Sequence, residues 1–205
     1  DVATTMRSPK DAIEAGIGMV HQHFMLVPSL TVAENIALGL KQAGGWRLDL
    51  RGIARRIAEL SERYNLKVEP DVPIWQLAVG EQQRVEILRA LYKEASLLIL
   101  DEPTAVLTPQ EVDDLFRILR QMAADGRSII FISHKLHEVL DISQRITVLR
   151  DGRKVDSIPA AGATKAILAE MMVGRPVVLE YQREQARTGD ERLRLMGVSA
   201  RSDRG

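Results

Sequence analysis

The amino-acid sequence predicts an α/β fold built on a parallel sheet, and three observations lead to that prediction. The runs "SLLIL" and "SIIFIS" are apolar, of strand length, and typical of strands buried on both faces of such a sheet. Between them, Thr108, Pro109 and Glu111 provide the cap, first position and capping-box partner of an amphipathic helix that stops at Gly126. Strand, helix and strand at this spacing indicate a βαβ unit with a right-handed crossover.

Local signals predict the N-terminal elements as well. Ser8 caps a first helix that ends at Gly16, and the short strand "IGMVH" follows. Thr31 and Glu34 form a capping box for a helix expected to run to about Lys41. A third helix, ending near residue 65, and a fourth, after "LAVGEQQ", are predicted from apolar residues at helical spacing: Ile53, Ile57, Leu60 and Tyr64, then Val85, Leu88, Leu91 and Tyr92.

The C-terminal part is predicted to contain a hairpin around Asp151-Gly152 and a final helix from Thr164 to Gly174. Residues 175–190 are charged and unpatterned, which is typical of a linker. The following "ERLRLMGV" alternates polar and apolar residues, as the first strand of a further domain would. Because the sequence begins at Asp1 rather than Met and ends just after this strand, we expect it to be an excerpt of a longer polypeptide.

Composition narrows the function classes. The 205 residues are 45% hydrophobic, enough for a substantial core, and basic and acidic residues number 28 each. This balance gives no basic field of the kind that attracts nucleic acid. The absence of cysteine excludes disulfides and thiolate metal sites, and the apolar runs are far shorter than the ~20 residues of a spanning helix. No signal peptide opens the sequence, so we expect a soluble, cytosolic segment.

Polar side chains follow three predicted strands at their carboxyl ends, where open α/β sheets bind ligands. These are Gln22, the pair Asp101-Glu102, and His134. Asp101 is suited to hold Mg²⁺ beside the phosphates of a nucleotide, and Glu102 to orient or deprotonate a water. Taken alone, the Asp-Glu pair favours a solvated turn that caps the strand, but the strand before it and the capped helix after it favour function.

The two remaining polar residues have open alternatives. His134 could donate a hydrogen bond to a terminal phosphate, or it could simply be a buried or helix-capping histidine. Gln22 could bind Mg²⁺ or the attacking water, or it could be a surface loop residue. His21, His23 and His137 lack ligand spacing with one another, so we interpret them as structural.

The stretch "LAVGEQQ" opens a helix, so its backbone N–H groups favour an anion there. The predicted phosphate-facing residues are Val79, Gly80, Glu81 and Gln82, and Gly80 would allow close approach to the backbone. Ala78 stands where a hydroxyl would be the natural phosphate ligand. Taken alone, the stretch is also consistent with an ordinary helix start. No G-x-x-x-x-G-K-[ST] motif occurs, and we attribute this to the point at which the sequence begins.

In order, these motifs resemble those of the ATP-binding cassette (ABC) ATPases over residues 1–174. Gln22 matches the Q-loop, "LAVGEQQ" the signature, "LLILDEP" the Walker B strand, "AVLT" the D-loop, and His134 the switch histidine. The resemblance implies a P-loop NTPase (RecA-like) ABC cassette core with an inserted α-helical subdomain at about residues 25–93. The N-terminal strands and Walker A of such a core are not within these residues.

The resemblance also implies roles. Asp101 would serve Mg²⁺, with Gln22 as a second ligand, Glu102 would be the general base, and His134 would contact the γ-phosphate of ATP. The signature would act in trans, closing over ATP on the opposite nucleotide-binding half. Ala78 replaces the usual serine of the signature, which removes one hydroxyl contact.

A finer resemblance is to the ATPases of simple-sugar and nucleoside importers, which carry two cassettes in one chain. It rests on "GIGMVHQHFMLVPSLTVAENIALG", "VGEQQRVEILRALY", "DEPTAVLTPQE" and "MVGRPV". It implies ATP-driven uptake of a nucleoside or simple sugar at the cytoplasmic face of a bacterial membrane. The implied partners are a second cassette beginning at 191–205, transmembrane permease subunits and, through them, an extracytoplasmic substrate-binding protein, with no nucleic acid.

The sequence is also compatible with two other functions. One is a soluble ABC-type ATPase acting on DNA or the ribosome, although the long coiled coil and long charged helix of those relatives are missing. The other is a non-catalytic cassette module, which the missing Walker A would suggest if the chain were complete. These 205 residues alone are expected to be inactive, because the phosphate-binding loop is not among them.

Overall fold

A computed structural model describes residues 5–38, 40, 49–176, 194 and 196–199. The helices are α1 (Pro9–Glu14), α2 (Val32–Ala37), α3 (Leu50–Tyr64), α4 (Val79–Tyr92), α5 (Pro109–Ala124), α6 (Leu136–Ile142) and α7 (Lys165–Val173), with a 3₁₀ turn at Ile74–Gln76. The strands are β1 (Ile17–Val20), β2 (Leu97–Asp101), β3 (Ser128–Ile132), β4 (Arg145–Arg150) and β5 (Arg153–Pro159).

The central sheet has the order β1-β2-β3, and both neighbouring pairs are parallel. α2, α3 and α4 lie between β1 and β2 along the chain, and α5 connects β2 to β3. The predicted βαβ unit is therefore confirmed. Because all three strands run in the same direction, their carboxyl ends meet at one edge of the sheet.

The helix caps follow the sequence closely, apart from the end of α2. Thr31, Thr108 and Thr164 each accept a hydrogen bond from the third helical N–H, at 3.2–3.4 Å. α2 ends at Ala37, before the predicted end, because the backbone at Leu38 has already turned to φ −58°, ψ 123°. Glycine follows Leu38 in the sequence and disfavours continuation of a helix. Lys41, the predicted end, lies outside the described residues.

The main core is formed where α2, α3, α4 and α5 pack with the sheet. Its fully buried side chains include Ile36, Ile57, Leu88, Leu98 and Leu119. Phe116 of α5 meets Phe131 of β3 in an edge-to-face contact, with ring centroids 5.7 Å apart. A second, smaller core lies between the β4–β5 hairpin and α7, around Ile146, Val148 and Leu168.

A polar contact joins α3 to the end of α5. Asp125 accepts hydrogen bonds from the Tyr64 hydroxyl at 2.9 Å and from the Arg63 guanidinium at 2.7 Å. These bonds favour the ionised carboxylate, and the pKa of Asp125 is therefore held below its ordinary value. The contact links the helical layer to the sheet-bearing part of the chain.

Burial of β2 on both faces was predicted, and the structure shows it on only one. Leu98 and Leu100 are buried against the helices, whereas Ile99 is half-buried. Ile99 pairs with Met19 and Ile130, both exposed, so these three residues share one face of the sheet. Side chains alternate between faces along a strand, so these exposed and half-buried residues lie on the face opposite Leu98 and Leu100. A continuous apolar run cannot reveal which of its two faces a neighbour will cover.

The predicted hairpin and the predicted final helix are confirmed. β4 and β5 pair antiparallel in a separate sheet, and Asp151 and Gly152 at their turn both have positive φ, as a type I′ turn requires. α7 ends at Gly174 in the left-handed conformation. Residues 177–190 of the predicted linker lie outside the described residues, as do four of the eight residues of the strand predicted at 191–198. Residues 194 and 196–199 are described and lie in no strand.

Candidate functional site

The carboxyl edge of the sheet brings two of the predicted residues into direct contact. Glu102 follows β2 and His134 follows β3. Oε1 of Glu102 accepts hydrogen bonds from the backbone N–H of His134 at 3.0 Å and from its ring Nδ1 at 2.7 Å. An ionised carboxylate can only accept, so with Glu102 ionised Nδ1 would be the protonated ring nitrogen. The His134 side chain is 70% exposed, so the rest of its ring faces solvent.

Glu102 itself is held in an unusual conformation. Its φ is +47°, in the left-handed region that non-glycine residues seldom adopt, and its N–H donates to the carbonyl of Ile132 at 2.9 Å. Its second oxygen, Oε2, is buried and has no hydrogen-bond partner among the described residues. Backbone strain and an unpaired buried acceptor are both features that concentrate at functional sites.

The other two predicted residues lie at the same edge without joining this contact. Asp101 is the half-buried last residue of β2, and Gln22 is exposed two residues beyond β1. Neither side chain forms a hydrogen bond within the part of the chain that the structure describes. The same part contains no group of three or more His, Cys, Asp or Glu residues that could hold a metal.

Asp101 and Gln22 nevertheless offer the hard oxygen donors that Mg²⁺ prefers. A magnesium ion at a nucleotide site uses only one or two protein ligands and completes its shell with phosphate oxygens and water. A pair of protein ligands is therefore chemically compatible with Mg²⁺.

A buried network beside the site was not predicted from the sequence. Glu138 of α6 is buried, and its carboxylate accepts from the Thr104 hydroxyl at 2.6 Å and pairs with Lys135 Nζ at 3.2 Å. Lys135 Nζ also donates to the Thr104 carbonyl at 2.9 Å. The network joins the segment after Glu102 to the segment after His134. The Lys135–Glu138 spacing is a helical ion-pair signal, but it could not reveal that Thr104 would complete the network.

The start of α4 has features that favour anion binding and features that oppose it. Glu81 accepts the N–H of Ala78 at 2.8 Å, so a carboxylate already occupies part of the helix N-terminus. Gln82 donates its side-chain amide to the carbonyl of Leu77 at 3.0 Å, and Val79 is exposed. Gly80 is buried, so its backbone does not face open solvent here. The phosphate-binding roles of residues 79–82 stay predictions.

Gly80 packs against the capping carboxylate of α5. A methyl group at Gly80 would collide with Oε1 of Glu111 and would lie 2.6 Å from its Cδ. Glu111 is in turn fixed by the N–H and hydroxyl of Thr108, both 2.9 Å from Oε2. These bonds lower the pKa of Glu111 below its ordinary value. Glu111 therefore contributes stability above its ordinary pKa, and this contribution is lost as the pH falls through the lowered one.

This packing predicts an energetic coupling between the two positions. Gly80→Ala should displace Glu111 from Thr108 and cost roughly 0.5–2 kcal/mol, the value of a helix cap. In a Glu111→Ala background the same change should cost little or stabilise, because the obstructing carboxylate is gone. A double-mutant cycle of unfolding free energies measures the difference. Additive costs would show that the Gly80–Glu111 contact carries no energy.

Comparison with known proteins identifies the family of this chain. The family described as ABC transporter matches residues 2–105. The chain belongs to the ABC transporter family. A glucose import ATP-binding protein of Haloferax volcanii is 49% identical over 97% of this chain. A nucleoside import ATP-binding protein of Lactococcus lactis is 48% identical over 97%, and a guanosine import ATP-binding protein of Bacillus subtilis 42% identical over 98%. The chain spans 41%, 39% and 39% of their respective lengths.

Solved structures of this family share the fold. A dimeric bacterial ABC transporter cassette superimposes with a TM-score of 0.59 at 27% identity, covering 70% of this chain and 62% of that one. A post-hydrolysis cassette bound to ADP and Pi gives a TM-score of 0.62 at 25% identity, covering 75% and 68%. The described part of this chain is thus a P-loop NTPase cassette of partial length, as predicted.

Proposed function

We propose that this chain is part of an ATP-hydrolysing subunit of an ABC importer, with the carboxyl edge of β1, β2 and β3 as its catalytic surface. The observation that carries this proposal is the Glu102 carboxylate, held by His134 through one oxygen and without a partner among the described residues at the other. The names of the relatives, all import ATP-binding proteins, and membership of the ABC transporter family support it.

In the proposed reaction Glu102 acts on the water that attacks the γ-phosphate of ATP. Its Oε1 is occupied by two donors from His134, which fixes the plane of the carboxylate. Its Oε2 has no hydrogen-bond partner among the described residues and is buried, so the proposal requires this oxygen to become accessible to the attacking water when ATP is bound. The chain thus supplies a base with one oxygen fixed by His134 and one without a partner among the described residues.

His134 is proposed to act at the γ-phosphate through the opposite side of its ring. The bond from Nδ1 to Glu102 fixes the orientation of the imidazole and leaves Nε2 directed away from the carboxylate. With Nε2 also protonated, the ring would donate to a phosphate oxygen as negative charge develops there. Asp101 and Gln22 would hold Mg²⁺, which supplies charge neutralisation of the phosphates when bound.

Residues 79–82 are proposed to complete the ATP site of a second cassette. One of the similar structures is described as dimeric, which is compatible with a site shared between cassettes. Ala78 has no hydroxyl to offer that site and its own N–H is bound by Glu81, so the N–H groups of Val79 and Gly80 would provide the contacts from this side, which requires Glu111 to uncover Gly80. We propose that the second cassette begins in residues 191–205, after a linker at 175–190.

The membrane-facing surface is proposed to lie on the helical part of the chain, residues 25–93. Met25, Val27 and Trp75 are exposed apolar residues on adjacent segments, because Trp75 N–H donates to the carbonyl of Pro28 at 3.1 Å. No helix among the described residues has the length and apolar character to cross a bilayer. We propose peripheral attachment, through permease subunits, to the cytoplasmic face of a bacterial membrane, and the names of the relatives as import ATP-binding proteins support this.

The cargo proposed is a nucleoside or a simple sugar, delivered to the permease by an extracytoplasmic binding protein. The test is reconstitution of the full-length protein with the permeases encoded beside it in vesicles, followed by uptake of labelled nucleosides and labelled sugars. ATP-dependent uptake of one class is expected, and ATPase activity without uptake of either class would contradict the importer role. A Gly-Lys-Ser/Thr loop is also expected roughly 40–70 residues before Asp1 in the coding sequence.

A further inference from the structure

Met25 and Val27, which follow β1, have their backbone N–H and carbonyl groups bound by side chains of α2 and α4. Met25 N–H donates to Glu86 Oε1 at 2.7 Å, and Arg89 donates to the Met25 carbonyl at 2.8 Å. Val27 N–H donates to Asn35 Oδ1 at 2.7 Å, and Asn35 Nδ2 donates to the Val27 carbonyl at 3.1 Å. Side chains thus hold the segment 25–27 in the way that a neighbouring strand would hold a β-strand.

Two of the side chains that hold this segment, Glu86 and Asn35, are buried, and burying them is costly. Glu86 is 1% exposed and Asn35 is fully buried. Arg89 forms an ion pair with Glu86 Oε2 at 3.3 Å, but the geometry is not that of a hydrogen bond, since Oε2 has no hydrogen-bond partner among the described residues. Apolar residues of similar volume often serve stability at least as well as a buried ion pair. The arrangement therefore points to a role beyond stability.

Met25 and Val27 of the held segment face outward, whereas Leu26 between them packs against the main core. Met25 is 61% exposed and Trp75 is 66% exposed, with Val27 exposed between them along the surface. A second bond, from the N–H of Ile74 to the carbonyl of Leu30 at 3.0 Å, helps to keep Trp75 beside the segment. We call Met25, Val27 and Trp75 the apolar platform. Hydrogen bonds fix the backbone of these residues, while their exposed side chains stay available to a partner.

The residues that hold Met25 belong to the same helix as the signature. α4 begins at Val79 and runs without interruption past Glu86 and Arg89. Seven residues of helix separate Val79 from Glu86, a distance of about 10 Å at 1.5 Å per residue. A helix of this length transmits a displacement of its first turn along its axis. Contacts made at Val79 to Gln82 are thereby linked mechanically to the backbone of Met25.

We propose that Glu86 is a positioning residue that couples the signature end of α4 to the apolar platform, with Asn35 securing the platform at Val27. Nucleotide bound at the signature alters the position of α4, and Glu86 and Arg89 transmit that change to Met25. This inference rests on the proposed function, because it requires ATP to reach the signature. It assigns a pair of buried polar residues to the communication between the nucleotide and the partner-facing surface.

The test is amide hydrogen exchange in the full-length protein, with and without Mg-ATP, in a Glu102→Gln background that retains ATP. In the parent protein, ATP is expected to change the exchange rates of the Met25 and Val27 amides. Glu86→Leu should raise Met25 exchange about ten- to hundredfold, the equivalent of losing a hydrogen bond to a charged group. It should also abolish the response to ATP while leaving ATP affinity within about twofold of the parent value, since Glu86 does not contact nucleotide in the proposed site.

Two further variants keep the test decisive. Glu59→Gln, which changes an exposed carboxylate paired with Arg56, is the matched control and should leave both readouts unchanged. Glu86→Gln keeps an acceptor for Met25 but loses the charge, so it should preserve basal protection and weaken the ATP response; it replaces Glu86→Leu if that variant does not fold. A full ATP response in the Glu86 variants would overturn the coupling. Lack of ATP binding by the parent protein would instead overturn the proposed function, before any variant is compared.

Discussion

Replacing Glu102 with glutamine in the full-length protein is expected to lower ATP hydrolysis at that site by roughly 10²–10⁴-fold, the usual contribution of a general base. Glutamine keeps the size of the side chain and an oxygen that can accept the two bonds from His134. It cannot take a proton from water at neutral pH. ATP should therefore still bind, and only the chemical step should fail.

The measurement is single-turnover hydrolysis alongside ATP binding, because the two readouts separate chemistry from affinity. The second cassette expected in the same chain could keep hydrolysing, so the assay must be restricted to the site of Glu102 by inactivating the other. Glu170→Gln, an exposed carboxylate on α7, is the matched control and should hydrolyse ATP at the parent rate. Unchanged turnover in Glu102→Gln would remove Glu102 from the role of base.

Removing the buried carboxylate of Glu138 should have the largest effect on stability among the polar changes considered. Glu138→Ala leaves the buried Thr104 hydroxyl without its acceptor and Lys135 without its counter-ion. Stranding the remaining partner of a buried pair typically costs 3–5 kcal/mol, and Lys135 is partly exposed, so we expect about 2–4 kcal/mol. The measurement is the urea midpoint of the unfolding transition of this cassette.

The same helix provides the control for this prediction. Asp141→Ala also removes a carboxylate from α6, but its ion pair with Arg120 is exposed on both sides. Such pairs contribute about 0–1 kcal/mol, so the variant should unfold close to the parent midpoint. Equal losses in the two variants would show that the Glu138 network is no more important than a surface ion pair.

A kinetic effect is expected to accompany the loss of stability. Glu138 holds Thr104, two residues after Glu102, and Lys135, next to His134. Releasing both segments should allow the Glu102–His134 contact to loosen and should lower turnover below that of Asp141→Ala at equal folded fraction. Thr104→Val offers a milder version, since it removes one hydroxyl from the network and keeps the side-chain shape.

Much of the fold could be predicted because the signals are local. The capping boxes at Thr31 and Thr108, the left-handed glycine after α7 and the turn at Asp151-Gly152 involve only neighbouring residues. Each is decided by side chains that reach backbone groups three or four positions away, or by one residue's backbone preference. The convergence of Glu102 and His134 could be predicted as well, because parallel strands of a βαβ unit must end at the same edge.

Other features depended on which segments meet in space. The sequence could not show that Gly80 would be covered by Glu111 of a different helix, nor that Thr104 would complete the network of Glu138. The bonds from Glu86 and Arg89 to Met25 join residues more than 60 positions apart. No periodic pattern in the sequence indicates such pairings, because the sequence does not distinguish a glutamate that will be buried from one that will be exposed to solvent.

The sequence by itself determined the α/β class, the caps, the order of the motifs and the residue types gathered at the carboxyl edge of the sheet. Those features follow from backbone propensity and strand direction, which act over a few residues or through a single topology rule. Only the tertiary structure decided that one Glu102 oxygen is bound by His134 while the other is buried without a partner among the described residues. Only the tertiary structure likewise decided that one face of the sheet is less buried than the other, and that α4 holds the Met25 backbone. These depend on desolvation and on distances between segments, which arise only when the chain has packed.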